Sequence, residues 1–410
     1  MARTVAGLPE GVRLTDLISL GVVAKDFPVE TVKEVLKETG KASKRHREMP
    51  AHVVVYYVIA MAFYMQVSYR EVLRCLWEGI RWLGGGKLNV KITGKSGISQ
   101  ARRRVGSEPV KRLHDRLVAP IAVRGEQRQT RGAWYRQWRL VSLDGSTLDV
   151  ANTEENEAEF GRQKTQKGRS AFVQLRFVCL VENGTHVLFG SRLGAYATGE
   201  NTLADEVIGS LRKGMLCLAD RGFFSYSRWM AAKATGAHLL WRVKTNILLP
   251  CLKRFEDGSY LSKIYAPQKD RLRDRGAIVV RVIEYTLPEV PDAEPFYRLV
   301  TTLLDPGQAP AEELASLYPE RWEIETALDE FKTHLRGQKI VLRSKTPDLV
   351  RQEFYGFMMA HYAVRGIMHE AALKADVDPD RLSYVHAVRV IRRKLAGCPA
   401  FSPSATQSAS

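Results

Sequence analysis

The stretch MLCLADRGFFSYSRWMAAKATGAHLLWRV, residues 215–243, decides the fold. Met215 to Ala219 is a short apolar run of the kind found in a buried central strand, and Asp220 closes it. Ser227 to Ala234 then reads as a helix and His238 to Val243 as a further strand. Upstream, Leu140 to Val150 is strand-like. Phe172 to Leu180 joins His186 to Phe189 through Asn183-Gly184, a strong hairpin signal, and a helix follows across Leu203 to Leu211. Strands, hairpin, helix, strand, helix, strand is the order of a mixed sheet with helices packed on it, an α/β class. Downstream, Asn246 to about Asp305 carries strands without helices, including Ala277 to Leu287 and Tyr297 to Leu304, and reads as a β-rich insertion. Helix returns over Pro310 to about Leu335, Leu349 to Lys374 and Leu382 to Leu395.

Ahead of Trp138 the pattern is helical. Val32, Val35 and Leu36 share a helix face, an apolar run covers Val53 to Met65, and Ser68 with Glu71 forms a capping box. Gly84, Gly85 and Gly86 break the chain. Lys95-Ser96-Gly97 precedes a helix whose first turns are expected to hold Arg102, Arg103 and Arg104. The residues from Ser402 onward are polar and Ser-rich, the composition of a disordered tail.

The chain has 410 residues, 45% of them hydrophobic, enough for a large core, and 62 Lys and Arg against 45 Asp and Glu leave a net charge of +17. That balance points to a polyanion, nucleic acid first. Arg102 to Arg139 is the densest basic stretch, and Arg389, Arg392, Arg393 and Lys394 form a second patch. The five cysteines are scattered and form no C-x-x-C pair, against a disulfide framework or structural zinc. The longest apolar run falls short of the ~20 residues needed to span a bilayer, so no membrane role is expected. Gly94-Lys95-Ser96 is no phosphate loop, because the required glycine position is Asn89. The histidines show no H-x-x-x-H spacing that would anchor a zinc hydrolase.

Three acids stand where this topology can gather them: Asp144 in the first strand, Asp220 closing the buried strand, and Glu325 on the late helix. Carboxylates are hard oxygen ligands for Mg²⁺ or Mn²⁺, and acids around two such ions suit phosphodiester cleavage. Asp149 faces the other side of a regular strand, whereas Asp305 closes Leu303-Leu304 much as Asp220 closes its own run and is a rival on spacing alone. Tyr318, Arg321, Glu325 and Lys332 fall at i, i+3, i+7 and i+14, within about 60° of arc on a continuous α-helix. Such a stripe can follow a DNA backbone, with Glu325 at the metals and Arg321 and Lys332 on phosphates. Leu317, Ile324, Leu328, Phe331 and Leu335 supply the apolar face that docks it.

The spacing Tyr318-x₂-Arg321-x₃-Glu325-x₆-Lys332 resembles the signature of the bacterial insertion-sequence transposases of family four. Arg321-Trp322 followed by Ile324-Glu325 strengthens the likeness. Asp144 in Leu143-Asp144-Gly145-Ser146 and Asp220 in Asp220-Arg221-Gly222-Phe223 look like that family's other two acids. The resemblance implies a DDE enzyme with a ribonuclease-H-like sheet, interrupted by a β-rich insertion and preceded by a helical domain. It implies cut-and-paste transposition with Mg²⁺ or Mn²⁺, two ions per site, acting on double-stranded DNA: terminal inverted repeats and target. A hairpin on the transposon end and a homodimer in the paired-end complex are implied as well, as is a bacterial cytoplasmic location.

The expected organisation is a helical DNA-end-binding domain over 1–136 and the first part of the catalytic core over 137–245. The β-rich insertion covers 246–308, the glutamate helix and the following helix 309–375, and a last helix and tail 376–410. Catalytic and metal-ligating roles fall to Asp144, Asp220 and Glu325, and DNA contacts to Tyr318, Arg321, Lys332, Arg102, Arg103 and Arg104. Trp241 and Trp322 are candidates for stacking an extruded base, each with a core role as the competing reading. Two other functions share these features: a nuclease of the same fold without strand transfer, and a DNA-binding protein derived from a transposase without catalysis.

Overall fold

Alternating and continuous apolar runs between Trp134 and Thr301 assemble into one ten-stranded mixed sheet in the computed structural model of the chain. The strands are β1 (Trp134–Tyr135), β2 (Trp138–Val150), β3 (Val173–Glu182), β4 (Val187–Ala195), β5 (Met215–Ala219), β6 (His238–Arg242), β7 (Lys253–Arg254), β8 (Tyr260–Ile264), β9 (Ile278–Tyr285) and β10 (Tyr297–Thr301). The structure describes residues 23–45, 49–74, 76, 94–126, 128–165, 168–266, 268–286, 296–335 and 341–388. Gly84 to Gly86, the basic patch Arg389 to Lys394 and the tail from Ser402 lie outside them.

The strand order is β4-β3-β2-β5-β6-β10-β9-β8-β7, with β1 paired to β2. β2, β5 and β6 run parallel to one another, and β3 and β4 form an antiparallel pair. This is the ribonuclease-H-like arrangement. Every residue of β5 is buried, as a central parallel strand covered on both faces requires. The β-rich stretch continues the same sheet: β10 lies antiparallel to β6, with Leu299 opposite Arg242, and β9, β8 and β7 follow outward.

The chain divides into two compact units. One comprises 120–147 and 175–328, holds nearly all of the sheet, and has a core of Tyr135, Trp138, Leu216, Leu218, Leu240, Leu299 and Leu314. The other comprises 1–119, 148–174 and 329–410. Its helices include Val29–Glu38, Ala51–Phe63, Lys95–Val105, Glu108–Leu117 and the long Pro347–Ala375, which starts on the proline favoured at a first helical position. Among the described residues no helix is long and apolar enough to cross a membrane.

Four local expectations need correction, the first being that the stretch expected to carry strands without helices contains the short helix Gln268–Leu272. The helix expected from Pro310 to Leu335 is four consecutive pieces: α-helix Ala311–Leu317, a 3₁₀ turn Tyr318–Trp322, α-helix Glu323–Asp329 and a π-helical turn Glu330–Leu335. Pro319 ends the first piece, since proline lacks an N–H and crowds the preceding turn. Arg102, Arg103 and Arg104 lie in the last turn of their helix, because it already begins at Lys95. At a C-terminus cations complement the helix dipole. The Asn183-Gly184 hairpin closes through four residues, with Glu182 opposite Val187, so His186 belongs to the loop and not to a strand.

Candidate active site

The parallel register sets the site. Leu143 pairs with Ala219, and Ala219 with Trp241. The next residue of each strand therefore falls in one row, at the middle of β2, just past the end of β5 and at the end of β6: Asp144, Asp220 and Arg242. The crevice beyond the carboxyl ends of parallel strands is where open α/β sheets place their chemistry.

Asp144 is largely buried, and its carboxyl is pushed up to about 6. Burial is the main cause; the nearby carboxylates of Glu200 and Glu325 add to it, while the Gly145 amide and Arg321 oppose it. The Gly145 N–H donates to Asp144 Oδ1 at 2.7 Å, and Arg321 lies 3.6 Å from Asp144 Oδ2. Glu200 Cγ is 3.1 Å from where a Cβ on Gly145 would stand, so this acid, which the motif reading missed, also borders the site. On β6, Arg242 lies 4.0 Å from Asp220 Oδ1, with its guanidinium 4.5 Å from the centre of the Tyr297 ring.

The helical stretch brings its residues in by different routes. Tyr318 and Arg321 are both buried and sit three apart on a 3₁₀ turn, where i and i+3 eclipse. Tyr318 donates its hydroxyl to the Ala219 carbonyl at 3.3 Å, next to Asp220. Burial holds that phenol well above its usual range, so it stays neutral. Arg321 faces Asp144, and its Nε is buried with no hydrogen-bond partner. Glu325 is exposed, and Lys332 is half-buried on the π-helical turn.

The 183–186 loop fastens this stretch. Asn183, fully buried, donates Nδ2 to the Glu320 carbonyl at 2.7 Å and accepts from Ser142 Oγ at 2.9 Å. The Gly184 N–H donates to Glu323 Oε2, and His186 Nε2 lies 3.8 Å from the same oxygen.

Carboxylates of this kind suit a hard divalent cation, and burial is the chief reason Asp144 resists ionisation. Among the described residues the oxygens of Asp144, Asp220 and Glu325 do not all lie within 4.8 Å of one another, so they do not close into a single-ion cage. A pair of ions about 3.5–4 Å apart, the spacing of two-metal sites in general, would need no single cage. The rivals are occupied elsewhere. Asp305 caps a turn by accepting from the Gly307 N–H at 2.9 Å, and Asp149 accepts from Gln174 at 2.9 Å.

Of the three front-end arginines, Arg102 is buried and committed to Gln352 Oε1 (2.8 Å), Ser344 Oγ (2.9 Å) and the Leu349 carbonyl (3.1 Å). A buried guanidinium so engaged does not meet phosphate. Arg103 and Arg104 are exposed, and Arg104 borders a cleft of about 370 Å³ shared with Lys41, Lys44 and Arg45. Trp241 is a core residue set edge-on against Trp229 at 5.4 Å, whereas Trp322 is 56% exposed with the Arg321 guanidinium 4.6 Å from its ring.

Comparison with known proteins matches residues 17–115 to the family described as insertion element 4 transposase N-terminal, and residues 137–362 to the transposase DDE domain. The chain is 27% identical over 381 residues to transposase InsG for insertion sequence element IS4 of Escherichia coli (strain K12), covering 91% of this chain and 82% of that protein. It is 23% identical over 236 residues to the putative transposase InsZ of the same organism, covering 57% and 73%. Among solved structures it is similar to a piggyBac transposase synaptic complex with hairpin DNA, with 10% identity, a TM-score of 0.46, and coverage of 96% of this chain and 83% of that one.

Proposed function

This chain belongs to the transposase DDE domain family, metal-dependent DNA-cleaving enzymes, and on that premise we propose that Asp144, Asp220 and Glu325 hold its two Mg²⁺ or Mn²⁺ ions. The observation that carries this is the strand register, which sets Asp144 beside Asp220, together with the influence of Glu325 on the Asp144 carboxyl. When bound, the ions lower the pKa of the attacking water or 3′-hydroxyl and neutralise charge on the leaving oxygen. Arg321 has a buried Nε without a partner, and its guanidinium engages a phosphate. Tyr318 remains a neutral phenol against the end of β5, and Lys332 adds a point charge along the DNA path.

The reaction is cut-and-paste transposition through a hairpin on the element's end, carried out by a homodimer in the bacterial cytoplasm. Residues 1–136 bind the terminal repeat, with Arg103 and Arg104 on phosphates and Arg102 shaping their helix from inside. Residues 137–245 and 309–375 form the catalytic core, 246–308 its β-rich extension, and 376–410 the end of the chain.

The test is Mg²⁺-dependent cleavage of labelled terminal-repeat DNA. Asp144→Asn, Asp220→Asn and Glu325→Gln should each lower cleavage at least ~10²–10³-fold, the scale for removing a principal electrostatic stabiliser, with DNA binding retained. Wild-type cleavage surviving in any one of them would exclude that acid. Hairpin and joined products identify a transposase reaction, whereas free nicked ends alone would identify a nuclease.

A further inference from the structure

We propose that Glu200 is a fourth carboxylate of this site, ligating one of the divalent ions beside Asp144. The inference rests on Asp144 being a metal ligand. Glu200 belongs to no motif of the chain. It lies in the first turn of the helix Glu200–Val207, which follows β4.

Glycine at 145 is what admits it. A Cβ there would stand 3.1 Å from Glu200 Cγ and 3.2 Å from Glu200 Cδ, short of the 3.4–4 Å of ordinary contact. The same residue donates its N–H to Asp144 Oδ1 at 2.7 Å, so the carboxyl groups of Glu200 and Asp144 both border Gly145. In keeping with that closeness, the charge of Glu200 raises the Asp144 carboxyl more than the charge of Glu325 does.

The other acids of that helix have cationic partners. Asp205 accepts from Arg228 at 2.8 Å, and Glu206 lies 4.0 Å from Arg192. Glu200 is half-buried, and among the described residues no hydrogen bond or ion pair engages its carboxylate. Arg321, the guanidinium facing Asp144, approaches Oδ2 at 3.6 Å and is not paired with Glu200. Two carboxylates brought together away from bulk water repel each other until a cation joins them. A hard divalent ion is such a cation, and it takes carboxylate oxygens while keeping positions for water and phosphate. The competing explanation for an acid at this position is the partial positive charge at the N-terminus of its own helix.

Mn²⁺ binding to the full-length, DNA-free protein, followed by paramagnetic resonance, separates the two. Glu200→Gln should weaken Mn²⁺ binding at least ~10-fold, the lower end of the cost of losing a group that supports a metal ion. The rise in melting temperature that Mn²⁺ gives wild type should shrink in the variant, because ligand-linked stability follows affinity. The Mn²⁺ concentration for half-maximal cleavage of terminal-repeat DNA should rise by the same factor. Glu200→Asp keeps the charge on a shorter arm and should fall between. Glu200→Ala carries the comparison if the glutamine variant does not fold. Glu206→Gln removes an equal charge farther along the helix and should leave Mn²⁺ affinity unchanged. Affinity equal to wild type in a folded neutral variant at 200, or lowered no more than by Glu206→Gln, overturns the proposal and leaves an acid that serves only its helix. Asp144→Asn is the separate control: unchanged Mn²⁺ binding there would remove the metal-ligand reading itself, whatever Glu200 does.

Discussion

At the residue scale, Asp144 is where burial and chemistry oppose each other. Its carboxyl is pushed up to about 6 in the folded chain from an ordinary 3.8, chiefly because burial disfavours the charged form. The ion-free protein is therefore most stable below pH 4 with respect to this group. It loses stability as pH rises through about 6, by on the order of 3 kcal/mol in all, and levels off above. Asp144→Asn should lack that loss. In thermal melts with chelator, the variant should match wild type near pH 4 and exceed it at pH 7.5, and a gap that does not depend on pH would contradict this. Added Mn²⁺ should stabilise wild type more than the variant.

At the element scale, the 183–186 loop is the device that sets the glutamate helix. Gly184 has φ 75°, and a Cβ there would lie 2.5 Å from the Arg131 carbonyl oxygen and 2.7 Å from the Ala133 nitrogen. Gly184→Ala must move the loop, and with it the partners of Glu320 and Glu323. We expect a destabilisation of about 1–3 kcal/mol, the usual range for overpacking, read by denaturant unfolding. Cleavage should fall further than the folded fraction does at the assay temperature; cleavage that merely tracks the folded fraction would deny the loop a positioning role. Asn183-Gly184 was readable as a hairpin signal, but not its second use, because a turn motif carries no information on what packs against it. Pro319, by contrast, was a visible helix breaker, and the expected continuous helix passed over it. The π-helical turn had no such local sign. It goes with burial of adjacent Glu330 and Phe331, the first paired with Arg365 and the second 4.6 Å from the Phe357 ring.

At the scale of the whole molecule, a net charge of +17 makes DNA affinity steeply dependent on salt. Each phosphate contact contributes a slope of about −0.9 in log affinity against log salt. Arg103, exposed on its helix, should account for one such contact. Arg103→Ala should weaken binding to specific and unrelated DNA alike and flatten the slope by about 1, whereas an unchanged slope would place Arg103 off the DNA.

Local pattern determined the strands, the helical front, the buried character of β5 and the positions of Asp144 and Asp220 in and just beyond their strands, because burial periodicity and chain breakers are written in consecutive residues. Tertiary structure alone decided that Arg242 stands beside Asp220, that Arg102 turns inward, and that Glu200 borders Asp144. Those neighbours come from parallel register and packing between distant segments, and no local spacing encodes which residue of one strand lies level with which of the next.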